Sequence, residues 1–86
     1  MKVIFHKNFR KEFKKLKQSE QKRALSRINI FQNDPFDEIL NNHELKGRLS
    51  GFRSINLSGD LRAHYTLVSE DTAFFVLLGT HSDLYE

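Results

Sequence analysis

Cysteine is absent from this 86-residue chain. No apolar run approaches the ~18 residues that a membrane-spanning helix needs. The first absence rules out a disulfide scaffold and any thiolate zinc site, and it agrees with a cytoplasmic setting. The second gives no reason to expect a membrane. The opening residues, Met1-Lys2-Val3-Ile4-Phe5-His6, hold no secretory apolar core, which again points to the cytoplasm. Acidic residues are scarce at one end. Ahead of residue 30 only Glu12 and Glu20 stand against Lys2, Lys7, Arg10, Lys11, Lys14, Lys15, Lys17, Lys22, Arg23 and Arg27. The second half is near balance or acidic, so the modest excess of 14 Lys+Arg over 11 Asp+Glu conceals a basic half. That asymmetry points to a polyanion partner, nucleic acid above all, or to a lysine-rich helix face that only meets water. The length suffices for one small domain spanning 1–86, in which most apolar residues are committed to the core.

What is present reads as β-α-α-β-β-β. Lys2 to His6, with Val3, Ile4 and Phe5, is a first strand. Asn8 is a plausible N-cap for a helix starting at Phe9, whose Phe9, Phe13 and Leu16 fall on one face opposite the lysines. Ser19 is expected to cap a second helix with Glu20 and Gln21 in its first turn, and Ala24, Leu25, Ile28 and Phe31 form its stripe. Asn33-Asp34-Pro35 ends it, because proline disfavours helix at the residue before. Residues 35–50 read as a loop. Phe52–Leu57, Leu61–Val68 and Thr72–Leu78 then form strands joined by turns at Ser58-Gly59-Asp60 and Ser69-Glu70-Asp71. The fold class is α+β: an N-terminal strand, a helical hairpin and a three-stranded antiparallel meander, making one twisted sheet packed on two helices. The neighbour of the first strand is not readable from the pattern.

Strand alternation sorts the side chains. Leu61, Ala63, Tyr65 and Leu67 suit the helix-packed side, as do Ile55 and Leu57. Asp60, Arg62, His64 and Thr66 take the open side with Ser54 and Asn56. The same parity sends Arg53 toward the core. The chain ends Gly79-Thr80-His81-Ser82-Asp83-Leu84-Tyr85, which sets a histidine just past an apolar strand, where it can gain or lose a proton near neutral pH. A second histidine stands in His43-Glu44-Leu45-Lys46-Gly47, beside the arginine-bearing hairpin. Taken singly these residues have plainer uses. A loop histidine is often a surface or capping residue, an aspartate at a β-turn often serves the turn, Arg62 can form a surface ion pair with Asp60 or Glu70, and His6 reads as structural.

Taken together, His43-x-Leu45-x-Gly47, Gly51-Phe52-Arg53, Asp60-Leu61-Arg62-x-x-Tyr65 and Gly79-Thr80-His81-Ser82-x-Leu84-Tyr85 resemble the RelE/ParE toxin superfamily, and within it the YafQ branch of ribosome-dependent mRNA interferases. The resemblance covers nearly the whole chain. It implies a RelE-like fold, a toxin of a type II toxin–antitoxin system, cleavage of mRNA in the ribosomal A site without a metal or cofactor, and partners in a cognate antitoxin, mRNA and the ribosome. It also implies functional roles for His43, Asp60, His81 and Tyr85. Where the branch usually has another histidine, this chain has Asn56, which cannot carry a proton but can hydrogen-bond phosphate or ribose.

Such a reaction needs a base for the ribose 2′-OH, an acid for the leaving 5′-oxygen and cations for the phosphorane. Histidine, with an ordinary pKa of about 6.5, serves the first two; arginine matches phosphate oxygens two at a time. His81 is the expected acid, with His43 or Asp60 as base or as the group orienting it. Arg62, Arg53, Asn56 and Lys46 are expected to hold RNA phosphate or ribose, and Tyr85 to stack on a base or bond the phosphate. A second class stays open: a superfamily member that inhibits gyrase as ParE proteins do, or an inactive RNA-binding module.

Overall fold

The computed structural model describes the chain from Met1 to Tyr85, the last of these by its backbone alone. Strand β1 (Lys2–Phe5) leads into helices α1 (Lys7–Lys14) and α2 (Gln18–Asn33). A stretch with two 3-10 turns, Glu38–Leu40 and Gly47–Leu49, surrounds a two-residue strand β2 (His43–Glu44). Strands β3 (Arg53–Ser58), β4 (Leu61–Ser69) and β5 (Thr72–Thr80) follow, and a short helix α3 (His81–Tyr85) closes the described chain.

The expected α+β architecture is present, with one more strand and one more helix. The five strands lie in the order β1-β5-β4-β3-β2. β1 pairs with β5 in parallel, Phe5 opposite Phe75, and the other pairings are antiparallel. The 35–50 loop is thus partly a strand, because His43 and Glu44 add to the β3 edge opposite Ser54 and Arg53.

Both helix starts differ from the expected ones. His6, not Asn8, caps α1: its Nδ1 accepts the Asn8 backbone N–H at 3.0 Å, so the helix begins two residues earlier than expected. α2 is capped at Lys17 rather than Ser19, because the Glu20 carboxylate reaches back to the Lys17 N–H at 3.3 Å. In each case a side chain other than the expected cap satisfies an orphan N–H at the helix start.

The core lies between the sheet and the helical hairpin. Phe9, Ala24, Ile28 and Phe31 from the helices meet Ile55, Leu57, Ala63, Tyr65, Ala73, Phe75 and Leu78. Phe31 stands edge-on to Tyr65 and Phe75, with centroids 4.9 and 5.2 Å away, geometry that the ring quadrupole favours. Leu67, expected inside, is half-exposed at the far end of β4. The helices cover the other end, and β4 and β5 change register between Leu67 and Ser69.

Candidate active site

The face of the sheet away from the helical hairpin is organised by register. His43, Ser54, His64 and Leu77 are successive partners across β2, β3, β4 and β5. One step nearer the β3–β4 turn, Asn56, Arg62 and Gly79 are partners. Partners in antiparallel pairs point to one side, so His43, Ser54, Asn56, Arg62 and His64 share a face. The two rows are about 7 Å apart along the strands.

This face is not wholly open. His64, expected among exposed polar residues, is fully buried, as is Ser54. Part of this side is covered near Gly79. A Cβ built there would come within 3.1 Å of Asp83 Cβ and 3.4 Å of Leu84 Cδ2, so α3 folds back against this side of β5. Burial, and secondarily the charge of His43, lowers the His64 pKa to about 4, so this imidazole is neutral near pH 7. It is a poor proton carrier there. Beside it, Asn56 is half-buried with its Oδ1 shut off from solvent and unpartnered among the described residues. Arg62 bends toward the hairpin turn, donating to the Gly59 carbonyl at 2.9 Å, and forms no ion pair with Asp60 or Glu70 among the described residues.

His43 is exposed at the sheet edge. Its Nδ1 lies 2.8 Å from the Asn41 carbonyl oxygen. A carbonyl only accepts, so Nδ1 carries the proton and Nε2 of the neutral ring holds the lone pair. Asn41 presents that carbonyl from a left-handed conformation, φ 47°, which asparagine tolerates better than most residues.

Asp60 and His81 lie at the same end of the sheet. Leu61 is paired with Thr80, so Asp60 immediately before one and His81 immediately after the other emerge side by side. Both are exposed. His81 is set by a reciprocal cap: Thr80 Oγ1 accepts the Asp83 N–H at 3.3 Å while Asp83 Oδ2 accepts the Thr80 N–H at 3.1 Å. The Thr80 backbone N–H first, and the Thr80 hydroxyl second, hold the Asp83 carboxyl below the usual range. A cleft of about 500 Å³ next to this end runs between the helical hairpin and the β3–β4 turn. Lys15, Arg23 and Arg27 line it, and Glu12, Glu20, Asp60 and Asp83 oppose them.

Two expected RNA contacts are placed apart. Arg53 turns to the helix side of the edge, as its parity implied. Its Nε donates to Asn42 Oδ1 at 2.8 Å and its guanidinium lies 5.2 Å from the centre of the Phe36 ring. Lys46 is exposed just before the second 3-10 turn. Tyr85 belongs to α3, and its side chain lies outside the described residues. Sequence reasoning missed the burial of His64 and the Thr80–Asp83 cap. The second had a visible signal, the Thr-x-x-Asp spacing of a capping box. The described residues include no cluster of three or more His, Asp or Glu able to hold a metal ion.

Comparison with known proteins follows the same lines. The family model described as a bacterial toxin of type II toxin–antitoxin systems, YafQ, matches residues 1–86. YafQ from Escherichia coli superposes with a TM-score of 0.80 at 18% identity, over 98% of this chain and 97% of that one. A copper-bound mutant toxin from Helicobacter pylori gives a TM-score of 0.71 at 28% identity, covering 99% of each chain. The archaeal RelE–RelB complex from Pyrococcus horikoshii gives 0.74 at 23% identity, covering 92% of each. No curated protein sequence matches.

Proposed function

This chain belongs to the YafQ family of toxins of type II toxin–antitoxin systems, and from that premise we propose that it is an endoribonuclease that cuts mRNA in the ribosomal A site. The observation that carries the reading is the sheet face itself: His43, with its lone pair on Nε2, shares that face with Asn56 and Arg62, and the face ends where Asp60 and His81 emerge together. His43 Nε2 takes the proton from the ribose 2′-OH. The resulting oxyanion attacks the adjacent phosphorus, Arg62 neutralises the phosphorane, and His81 protonates the departing 5′-oxygen. The fragments carry a 2′,3′-cyclic phosphate and a 5′-hydroxyl. Asp60 orients His81 or the substrate, Asn56 bonds phosphate or ribose, and Tyr85 stacks on a base. The reaction needs protons and cations only, which the side chains supply, so no metal is required.

The lysines of α1 and α2 give sequence-independent affinity for ribosomal RNA through its phosphates. An antitoxin neutralises the toxin in the cytoplasm, as RelB and DinJ stand in complex with the related toxins. The test is induction of the chain in cells, followed by primer extension of mRNA. Codon-spaced cuts that vanish when translation is blocked support the interferase. Intact mRNA with gyrase-dependent DNA breaks would replace it with the ParE-like reading.

A further inference from the structure

β2 is two residues long and lies at the sheet edge. So short a strand has few ladder bonds with which to fix the angle at which His43 meets a substrate. The fixing comes from the residue before it. Asn42 faces inward where His43 faces outward, and its side chain is fully engaged on that side. Nδ2 donates to the Pro35 carbonyl at 2.8 Å and to the Tyr65 hydroxyl at 2.8 Å, and Oδ1 accepts from Arg53 Nε at 2.8 Å. The Tyr65 ring is itself buried, stacked on Phe75 and edge-on to Phe31. A chain of contacts therefore runs from the aromatic core through Tyr65 and Asn42 to the backbone of His43. The same stretch aims the Asn41 carbonyl at His43 Nδ1.

We propose that Asn42, anchored by Tyr65, Arg53 and Pro35, is a positioning residue that holds His43 in the Nδ1–H tautomer and turns its Nε2 lone pair toward the substrate. This rests on the reading of His43 as the base. Asn42 touches neither RNA nor the reacting atoms. Its effect passes through the Asn41–His43 backbone, where both donors and the acceptor of one amide suppress rotation of the peptide that carries the base. It also gives Arg53 a role different from RNA binding, as the third anchor of the clamp.

Two variants test it. Asn42→Ala removes all three contacts, and Tyr65→Phe removes one hydroxyl while keeping the core ring. The first readout is the tautomer of His43 in the full chain, read from long-range 1H–15N correlations at a pH where the ring is neutral. The second is single-turnover cleavage on programmed ribosomes. The wild type is expected to show Nδ1–H. Asn42→Ala is expected to move His43 toward a mixture with Nε2–H and to lower the single-turnover rate constant by about 10- to 100-fold, with the half-saturating concentration little changed. Tyr65→Phe shifts both in the same direction by less. An unchanged His43 tautomer in folded Asn42→Ala, or Nε2–H in the wild type, overturns the inference whatever the activity. A shifted tautomer with undiminished cleavage leaves the clamp standing and overturns the assignment of His43 as base.

Discussion

Burial of His64 has a thermodynamic consequence that can be measured without any substrate. Its imidazole has a pKa of about 4 in the folded chain against 6.5 for an ordinary histidine, chiefly through desolvation. A histidine depressed in this way binds fewer protons folded than unfolded between those two values. Stability is therefore fully present above about pH 6.5 and drains away as pH falls toward 4. Integrating the proton difference from pH 7 to pH 5 gives a loss on the order of 2 kcal/mol from this group. The carboxyls of Asp71 and Asp83 are both held low, Asp71 mainly by the Ser69 hydroxyl and Asp83 mainly by the Thr80 N–H. Their contributions disappear only at more acidic pH, outside this window. Urea unfolding at pH 7, 6 and 5 reads the effect directly, as a midpoint falling by about 1–2 M for a domain of this size. His64→Leu keeps the buried volume without the titrating group, so its midpoint falls less over the same range. Equal pH dependence in His64→Leu and wild type would refute the placement of a neutral histidine on this face.

Gly79→Ala pushes a methyl against Asp83 Cβ at 3.1 Å; we expect α3 to shift, stability to drop by about 1–3 kcal/mol and cleavage to fall, because His81 opens that helix. Unaltered thermal unfolding and activity would show that α3 does not depend on this close approach. Phe31→Ala empties the ring pocket between Tyr65 and Phe75 and should cost about 3–5 kcal/mol in equilibrium unfolding. His6→Ala removes the cap on the Asn8 N–H, with an expected loss of about 0.5–2 kcal/mol and little change in cleavage.

The amphipathic helices and the three meander strands were readable because each follows one period with distinct end signals. Phe9 and Phe13 in α1, and Ala24, Ile28 and Phe31 in α2, repeat at helical spacing, and Ile55, Leu57, Ala63 and Tyr65 alternate. β1 was visible as a strand, yet its parallel pairing with β5 was not, since nothing local records a partner some seventy residues away. β2 is too short for any period, and it exists because β3 offers it an edge. Parity assigns His64 to the correct face but not to its burial, because burial depends on what packs over the face and not on the strand's own period. The candidate site was partly legible for the same reason. His43, Asp60 and His81 were each identifiable as chemistry-bearing residues. The tautomer of His43 depends on the Asn41 carbonyl and its left-handed backbone, which only coordinates display.

Cleavage by an internal hydroxyl is the central claim, and one measurement addresses it most directly. Wild-type protein and His81→Ala are mixed with ribosomes programmed with an mRNA that is cut, and with the same mRNA carrying a single 2′-deoxynucleotide on the 5′ side of the scissile phosphate. Rapid cutting of the all-ribose message by wild type is expected, with a rate about 10²–10⁴-fold lower for His81→Ala and no cutting at the deoxy position by either. Cutting of the deoxy message at the all-ribose rate would contradict cleavage by an internal hydroxyl.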